Sequence, residues 1–269
     1  MTLLTDCLPQ KGVAPPRHPT QAEWDEWQIR ALNEDEGRRN LRDGIDCPLC
    51  ANKGWIYRLE EGSPVAARCR CMPARETMRR MEESGLGQTV NAFTFENYIA
   101  AEDWQKDLKQ LAQDFCADDS ARWLYIGGQV GSGKTHLCTA VCAHYIRRGS
   151  RVRYMLWAER SKALKAAVTD YRAYAEMLDE YKRVEVLYID DFLKVRQGTE
   201  PSDGDLNLAF ELINARLLSP DKVTVISSEK TLQEAMAYDE ATVSRIWQQC
   251  GRYRVDVGKD VGKNYRLRE

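Results

Sequence analysis

Short apolar runs recur along the C-terminal part of the chain, at 123–126 (WLYI), 152–156 (VRYML), 184–189 (VEVLYI), 223–226 (VTVI) and 253–257 (YRVDV). Between them lie longer segments of helical period, centred near 104–115, 134–148, 158–182, 205–218 and 231–250. Runs of strand length alternating with amphipathic helices predict βαβ units, hence an α/β fold: a parallel five-stranded sheet with helices on both faces. The N-terminal part has another rhythm. Thr20-x-x-Glu23 is a capping box that starts a helix reaching to about Leu41, with Trp24, Trp27, Ala31 and Leu32 on one face. Two tryptophans on one helix call for a partner surface, and packing onto the rest of the chain is favoured over docking to another protein. Trp55–Leu59 and Val65–Arg68 read as the strands of a hairpin turning at Glu-Glu-Gly-Ser-Pro. A helix from Pro73 to Ser84 follows, stopped by Gly85. The organisation expected is a flexible tail over 1–19, a small module over 20–85, a surface linker over 86–100 and the sheet domain over 101–269.

Composition narrows the class. The 269 residues carry 39 Lys+Arg against 41 Asp+Glu, a formal charge of −2, which argues against a polybasic or histone-like protein. No stretch approaches the roughly 18 uninterrupted apolar residues of a membrane helix. The N-terminus has neither a basic region nor an apolar core of signal-peptide length, so a cytoplasmic protein without a membrane partner is expected. Nine cysteines in such a chain call for a metal or for buried thiols rather than disulfides.

The most specific motif is Gly128-Gln129-Val130-Gly131-Ser132-Gly133-Lys134-Thr135, which matches G-x-x-x-x-G-K-[ST] between an expected strand and an expected helix. Its glycines let backbone N–H groups turn toward phosphates, and the helix N-terminus adds positive charge there. Gly128, Gly131, Ser132, Gly133, Lys134, Thr135 and the following His136 are the candidate nucleotide contacts. Lys134 is expected on the β/γ-phosphates and the Thr135 hydroxyl on Mg²⁺. A second requirement is an acid at the end of a buried strand, and Val186-Leu187-Tyr188-Ile189-Asp190-Asp191 supplies two. Adjacent carboxylates ending an apolar strand are unfavourable without a cation. Asp190 is therefore expected to bind Mg²⁺, and Asp191 to orient or deprotonate the attacking water.

Cys47-Pro48-Leu49-Cys50 and Cys69-Arg70-Cys71 bracket the hairpin. Four thiolates would close a tetrahedral Zn²⁺ site of structural type, with an iron–sulfur cluster as the alternative that spacing does not exclude. Cys138 and Cys142, one helical turn apart, read as core residues. Arginines 68, 70, 75, 79 and 80 crowd the exit of this module and could form a phosphate-contacting face, or an ordinary solvated one. Arginines 147, 148, 151 and 153 form a second basic cluster. From Gly251 to Glu269, six basic residues outnumber three acidic ones. In a channel-forming oligomer these clusters could line a path for single-stranded DNA.

The loop with its GKTHL continuation, the strand ending IDDF, the VISSE stretch, EATVSRI and the closing GKNYRLR together resemble the lidless AAA+ ATPases of the bacterial DnaC/DnaI helicase loaders and the related IstB transposition helpers, over about 90–269. That resemblance implies a P-loop ATPase lacking the C-terminal lid, consistent with the 12 residues that follow the last expected strand. It implies ATP and Mg²⁺ as ligands, Ser227 or Ser228 beside the γ-phosphate, and Arg245 as a finger reaching a neighbour's nucleotide in an ATP-bound homo-oligomer. Asp191 stands where most AAA+ proteins have Glu, one methylene longer, so slow, switch-like hydrolysis is expected. The cysteine ribbon resembles the zinc-binding N-terminal module of some DnaI-type loaders, which implies contact with a replicative DNA helicase or DNA. Delivery of that helicase to single-stranded DNA is the function implied first. The alternatives are a transposition helper acting on target DNA and a zinc-dependent adaptor with a vestigial ATP site.

Overall fold

The computed structural model describes residues 17–60, 63–87, 89–196 and 199–267. The tail expected over 1–19 lies, up to residue 16, outside the described residues, as does Cys7. Two compact units divide the chain, residues 1–79 and 80–269, and the division falls within one helix.

In the first unit, α1 (Gln21–Glu34) opens on the expected capping box, the Thr20 side chain and Glu23 each bonding the other's backbone N–H. It stops short of Leu41. Asp35 takes an extended conformation, and only a single turn, α2 (Asn40–Asp43), follows before Gly44. Asn33 donates to Tyr57 O (2.8 Å) and accepts from Tyr57 N (2.9 Å), which ties α1 to the first strand. The hairpin pairs β1 (Trp55–Glu60) with β2 (Ser63–Arg68) in antiparallel register, Trp55 opposite Arg68. Trp24 and Trp27 lie against each other with ring centroids 5.0 Å apart.

α3 (Met72–Glu83) ends where Gly85 adopts a left-handed conformation, as its position predicts. Segment 86–100 is more than a surface linker. It contains α4 (Thr89–Ala92) and buries Leu86, Val90 and Tyr98, because its apolar residues have the sheet domain to pack on. α5 (Asp103–Ala117) precedes β3 (Trp123–Gly128), α6 (Lys134–Arg147) and β4 (Val152–Leu156). The long segment expected near 158–182 is two helices, α7 (Trp157–Ala167) and α8 (Tyr171–Arg183), separated where Asp170 caps the second. β5 (Val186–Asp190), α9 (Asp203–Leu217) and β6 (Val223–Ser227) follow. Asp239 likewise divides the next segment into α10 (Leu232–Met236) and α11 (Glu240–Cys250), before β7 (Arg254–Val257).

The five strands β3 to β7 form one parallel sheet in the order β4-β5-β6-β3-β7. Pleating sends alternate side chains to opposite faces. Trp123, Tyr125, Leu187, Ile189 and Ile226 join a core with residues of α7 to α11. Leu124, Ile126, Tyr188 and Val225, equally buried, point to the other face, on which α6 packs with Leu137, Cys138, Val141 and Cys142 fully enclosed. The sheet domain therefore has the layered P-loop architecture expected, with the phosphate loop at the C-terminal end of β3, an inner strand between β6 and β7.

A nucleotide cleft and a four-cysteine cluster

The register of the sheet builds the site. Tyr154, Tyr188, Asp190 and Ser227 alternate onto the α6 face, and α6 begins with Lys134 and Thr135 at the same end. The Thr135 hydroxyl donates to Asp190 Oδ1 (3.3 Å), Tyr154 OH donates to Asp190 Oδ2 (3.0 Å), and Ser227 Oγ makes a close hydrogen bond to Asp190 Oδ1. Asp190 is 4 % exposed. Its two oxygens are thus fixed by three hydroxyls, an arrangement that holds a carboxylate ready for a cation.

The loop itself is a glycine cradle. Gly131 and Gly133 have φ of +74° and +86°, a conformation that side chains rarely adopt, and a Cβ on Gly133 would meet the Tyr98 ring at 2.7 Å. Lys134 is buried, its ammonium donating to Gly128 O (3.0 Å) and Gln129 O (2.5 Å). Burial lowers its pKa, while Glu229 and Asp191 act to keep it charged. The cleft over this loop, about 320 Å³, is lined by residues 130–136 with Phe93, Asp190, Asp191, Lys194, Glu229 and Arg266. Open glycines, a helix N-terminus and a buried lysine fit a polyphosphate, and Thr135 with Asp190 fits Mg²⁺.

Gly128, Gly131, Ser132, Gly133, Lys134, Thr135, His136, Asp190 and Asp191 are brought together as the motif suggests. Ser132 donates to Gln129 O (2.8 Å) within the loop. His136 stacks on Phe93 with centroids 4.8 Å apart and bonds Thr94 O (2.8 Å), so it braces the wall of the cleft. Of the two serines, Ser227 reaches Asp190. Ser228, one position on, turns its hydroxyl to Phe192 O (2.9 Å) and away from the acid, because a one-residue step along a strand reverses the face. Arg245 stands on α11, donating to Ala241 O (2.8 Å) and lying over the Phe210 ring at 5.2 Å; it does not line the cleft of its own chain.

Several cleft residues carried no motif signal. Asp191 (φ +55°) and Leu193 (φ +56°) are left-handed, and this kink brings Lys194 round to Asp191 Oδ2 (2.9 Å) and Glu229 Oε1 (2.7 Å). Burial opposes the charge on Lys194, but the two carboxylates outweigh it and raise its pKa. Tyr98, its hydroxyl buried and without a hydrogen-bond partner among the described residues, is pushed up to about 12 by burial. The basic clusters, by contrast, are in part neutralised. Arg148, Arg151 and Arg153 pair with Asp119, Glu185 and Glu180, and Arg252 with Asp118. Lys259 pairs with Glu234.

In the first unit the four cysteines converge. All four Sγ atoms lie within 4.8 Å of one another, with Cys47 to Cys69 at 3.8 Å and Cys50 to Cys71 at 3.7 Å. Zn–S bonds of about 2.3 Å in a tetrahedron require S···S separations of about 3.8 Å, so the set fits a zinc ion. The knuckle is shaped by Ala51 and Asn52, both left-handed, with Asn52 Oδ1 accepting from Cys47 N (2.8 Å). Gly54 N donates to Cys50 Sγ (3.2 Å). Arg75, expected on an exposed basic face, is instead 4 % exposed, with Nε directed at Cys71 Sγ (3.4 Å) and its fork on Ile45 O and Asn52. It serves the thiolates, since a buried guanidinium needs acceptors. Arg68 pairs with Glu76. Burial pushes the Cys69 thiol to about 12. At Cys47 burial acts the same way, but N–H groups of Cys50 and Leu49 outweigh it and bring the thiol to about 7.

Among known proteins, YqaM of Bacillus subtilis (strain 168) is 33% identical over 210 residues, covering 74% of this chain and 66% of YqaM, just under two thirds of its length. The phage-like element PBSX protein XkdC of the same organism is 28% identical over 249 residues, covering 88% of this chain and 92% of XkdC. Solved structures of DnaI (TM-score 0.52, 20% identity, 64% of this chain and 92% of that one) and of the DnaC helicase loader (TM-score 0.52, 18% identity, 64% and 98%) share the fold. The sequence model of the IstB-like ATP binding protein family matches residues 68–268. Its span takes in the phosphate loop, the Asp190 strand and the closing segment, and the chain belongs to the IstB-like ATP binding proteins, within the AAA+ P-loop ATPases.

Proposed function

We propose that the chain is an ATP-dependent helicase loader that delivers a replicative DNA helicase to single-stranded DNA and is reset by slow ATP hydrolysis. The observation that carries this reading is the joint presence of an assembled phosphate site, Lys134 and Thr135 beside Asp190, and a four-cysteine unit preceding it in the chain. Similar folds in DnaI and in the DnaC helicase loader support it. Lys134 and the loop N–H groups bind the triphosphate. The Thr135 hydroxyl and Asp190 hold Mg²⁺, which would neutralise charge on the phosphates. Asp191, anchored by Lys194, orients the attacking water. Its short side chain reaches less far toward the water than a Glu would, and the ion pair keeps the carboxylate engaged, which suits a switch better than a motor. Arg245, absent from its own cleft, completes a neighbour's site in an ATP-bound homo-oligomer. Zn²⁺ on Cys47, Cys50, Cys69 and Cys71 holds the partner-binding module.

The transposition-helper reading draws on one observation, the IstB-like family match itself. Retrieval of the host's replicative helicase by the tagged chain, with and without ATP, separates the two. Helicase recovered in the ATP state supports the loader. A transposase recovered in its place, with no helicase in either state, overturns it.

A further inference from the structure

Glu229 enters the cleft just past the end of β6, where the chain is held on both sides. Toward the phosphate loop, Ser228 N donates to Ile126 O (3.1 Å), and Lys230 O accepts from Gly128 N (3.2 Å) and from Tyr125 OH (2.8 Å). Toward the kink after β5, Phe192 N donates to Ser227 O (2.9 Å) and Ser228 Oγ donates to Phe192 O (2.9 Å). Ser228 Oγ also accepts from Lys230 N (3.1 Å), so the chain bends at Glu229. A carboxylate at this bend is fixed between the loop that fits a polyphosphate and the acids that close β5.

Its charge belongs to the cleft. Glu229 Oε1 accepts from Lys194 Nζ (2.7 Å), which also reaches Asp191 Oδ2 (2.9 Å). The second oxygen of each acid, Glu229 Oε2 and Asp191 Oδ1, has no hydrogen-bond partner among the described residues. Burial lowers the pKa of Lys134, and of the charges that oppose this, that of Glu229 is the largest, ahead of Asp191 and Asp190. The longer acid therefore acts on the phosphate lysine more strongly than the shorter acid beside it. Asp191 stands where most AAA+ proteins have Glu, and the reach it lacks is available from the next strand of the sheet.

We propose that Glu229 is a catalytic residue of ATP hydrolysis, orienting the attacking water together with Asp191 while Lys194 holds the two carboxylates side by side. The proposal rests on the reading that this cleft hydrolyses ATP, and it adds a second acid to the one at the end of β5. Each acid keeps one oxygen on Lys194 and has one left for the water. The water oxygen bonds to the γ-phosphorus as the bond from that phosphorus to the β,γ-bridging oxygen breaks, and ADP leaves with the electron pair. The water's proton passes to a carboxylate oxygen of the pair and from there to the released phosphate.

The test is single-turnover hydrolysis of bound ATP by the full chain, at protein concentrations where the rate per chain no longer rises. Glu229→Gln is expected to lower that rate about a hundredfold, the size of a water-orienting contribution. Its Kd for ATP should equal or fall below that of the wild type, because an acid facing the phosphates opposes their binding. Asp191→Glu, which places a longer carboxylate beside Lys194, should recover much of the rate in the Glu229→Gln background. Lys194→Met separates catalysis from anchoring: with the lysine gone, Glu229→Gln should still lower the rate about tenfold further. No further loss in that background overturns the proposal and leaves Glu229 as an anchor of Lys194. A wild-type rate in Glu229→Gln, with hydrolysis lost in Asp191→Asn, also overturns it and leaves the ATPase reading standing. ATP bound but not hydrolysed by the wild type overturns both.

Discussion

The cysteine cluster and the nucleotide cleft each gather heteroatoms around a position for a ligand, and they differ in what gathers them. Around the four thiols the apolar packing is thin: the cluster consists of the cysteines themselves, with Ile56 against it. The cleft stands on the end of a five-stranded sheet whose core runs through Trp123, Met155, Trp157, Leu187, Ile213 and Ile246. A small unit with so thin an apolar cluster is expected to depend on a ligand held by the thiols. The sheet domain is shaped before its ligand arrives.

Metal removal should break this comparison most visibly. Chelation, or Cys50→Ala combined with Cys69→Ala, removes a contribution of about 10 kcal/mol or more to the first unit. Protease should then cut at sites before residue 80, while residues 80–269 stay resistant and keep their affinity for ATP. A metal-free chain whose first unit resists protease would show that Ala31, Met72 and the hairpin suffice. Metal analysis that finds iron and a visible chromophore would replace zinc by the alternative cluster.

Lys134→Ala should act the other way, removing a ligand contact and sparing the fold. Loss of the buried ammonium is expected to weaken ATP binding by about 3 kcal/mol, over a hundredfold, since a charged group then has no partner. The melting curve should stay close to wild type, because Gly128 O and Gln129 O, its present acceptors, lie at the open cleft. A large drop in melting temperature would mean that the lysine also holds the loop together.

The same contrast explains what could be read in advance. The five strands, the phosphate loop and the Asp190 end were legible because each has a local signature: a short apolar run, a glycine spacing, a carboxylate closing a strand. Asp170 and Asp239 divided two expected helices through side-chain caps, a signal that was present in the residues and overridden by the apolar period. Other features depend on register. Ser227 and Ser228 are equivalent on paper, and only the pairing of β5 with β6 decides which meets Asp190. Lys194 reaches the cleft through a kink that no motif announces, while Glu229 and Arg266 stand in the VISSE and GKNYRLR stretches, whose letters do not say that a strand end and the chain past β7 bring them to the cleft. Arg75 looked like surface charge because nothing local announces that Cys71 and Ile45 will surround it.

Within the sheet domain, Arg216 tests how far the core can carry polar groups. It is 1 % exposed and spans β5 and β6, donating to Val184 O (2.5 Å), Val223 O (2.5 Å) and Thr224 Oγ1 (3.1 Å). Burial lowers its pKa to about 10. Arg216→Met leaves those carbonyls unpaired and should cost about 2–3 kcal/mol in urea unfolding of the ATPase unit. ATP affinity of the folded protein should be unchanged, since Arg216 lies at the end of the strands opposite the cleft. A stability equal to wild type would mean that water or backbone shifts satisfy the carbonyls.

The smallest effect expected is one of pH, and it lies on α6, the helix that begins at the phosphate loop. His144 has a buried ring Nε2 with no hydrogen-bond partner among the described residues, and burial, followed by the charges of Arg148 and Arg147, lowers its pKa. A base whose folded pKa lies below its unfolded value binds fewer protons when folded, so its stabilising contribution is present above about pH 6.5 and is lost as pH falls through the folded value. Melting of the ATPase unit should therefore drop by a degree or two between about pH 7.5 and pH 5.5 through this group, and His144→Phe should flatten that slope. An unchanged slope would place the acid sensitivity elsewhere, and the Asp205 carboxyl is the next candidate. Burial raises its pKa, but Lys165 and Ser202 outweigh that and lower it overall, so its contribution fades only below the usual carboxylate range, about pH 4, and the two groups separate on the pH axis.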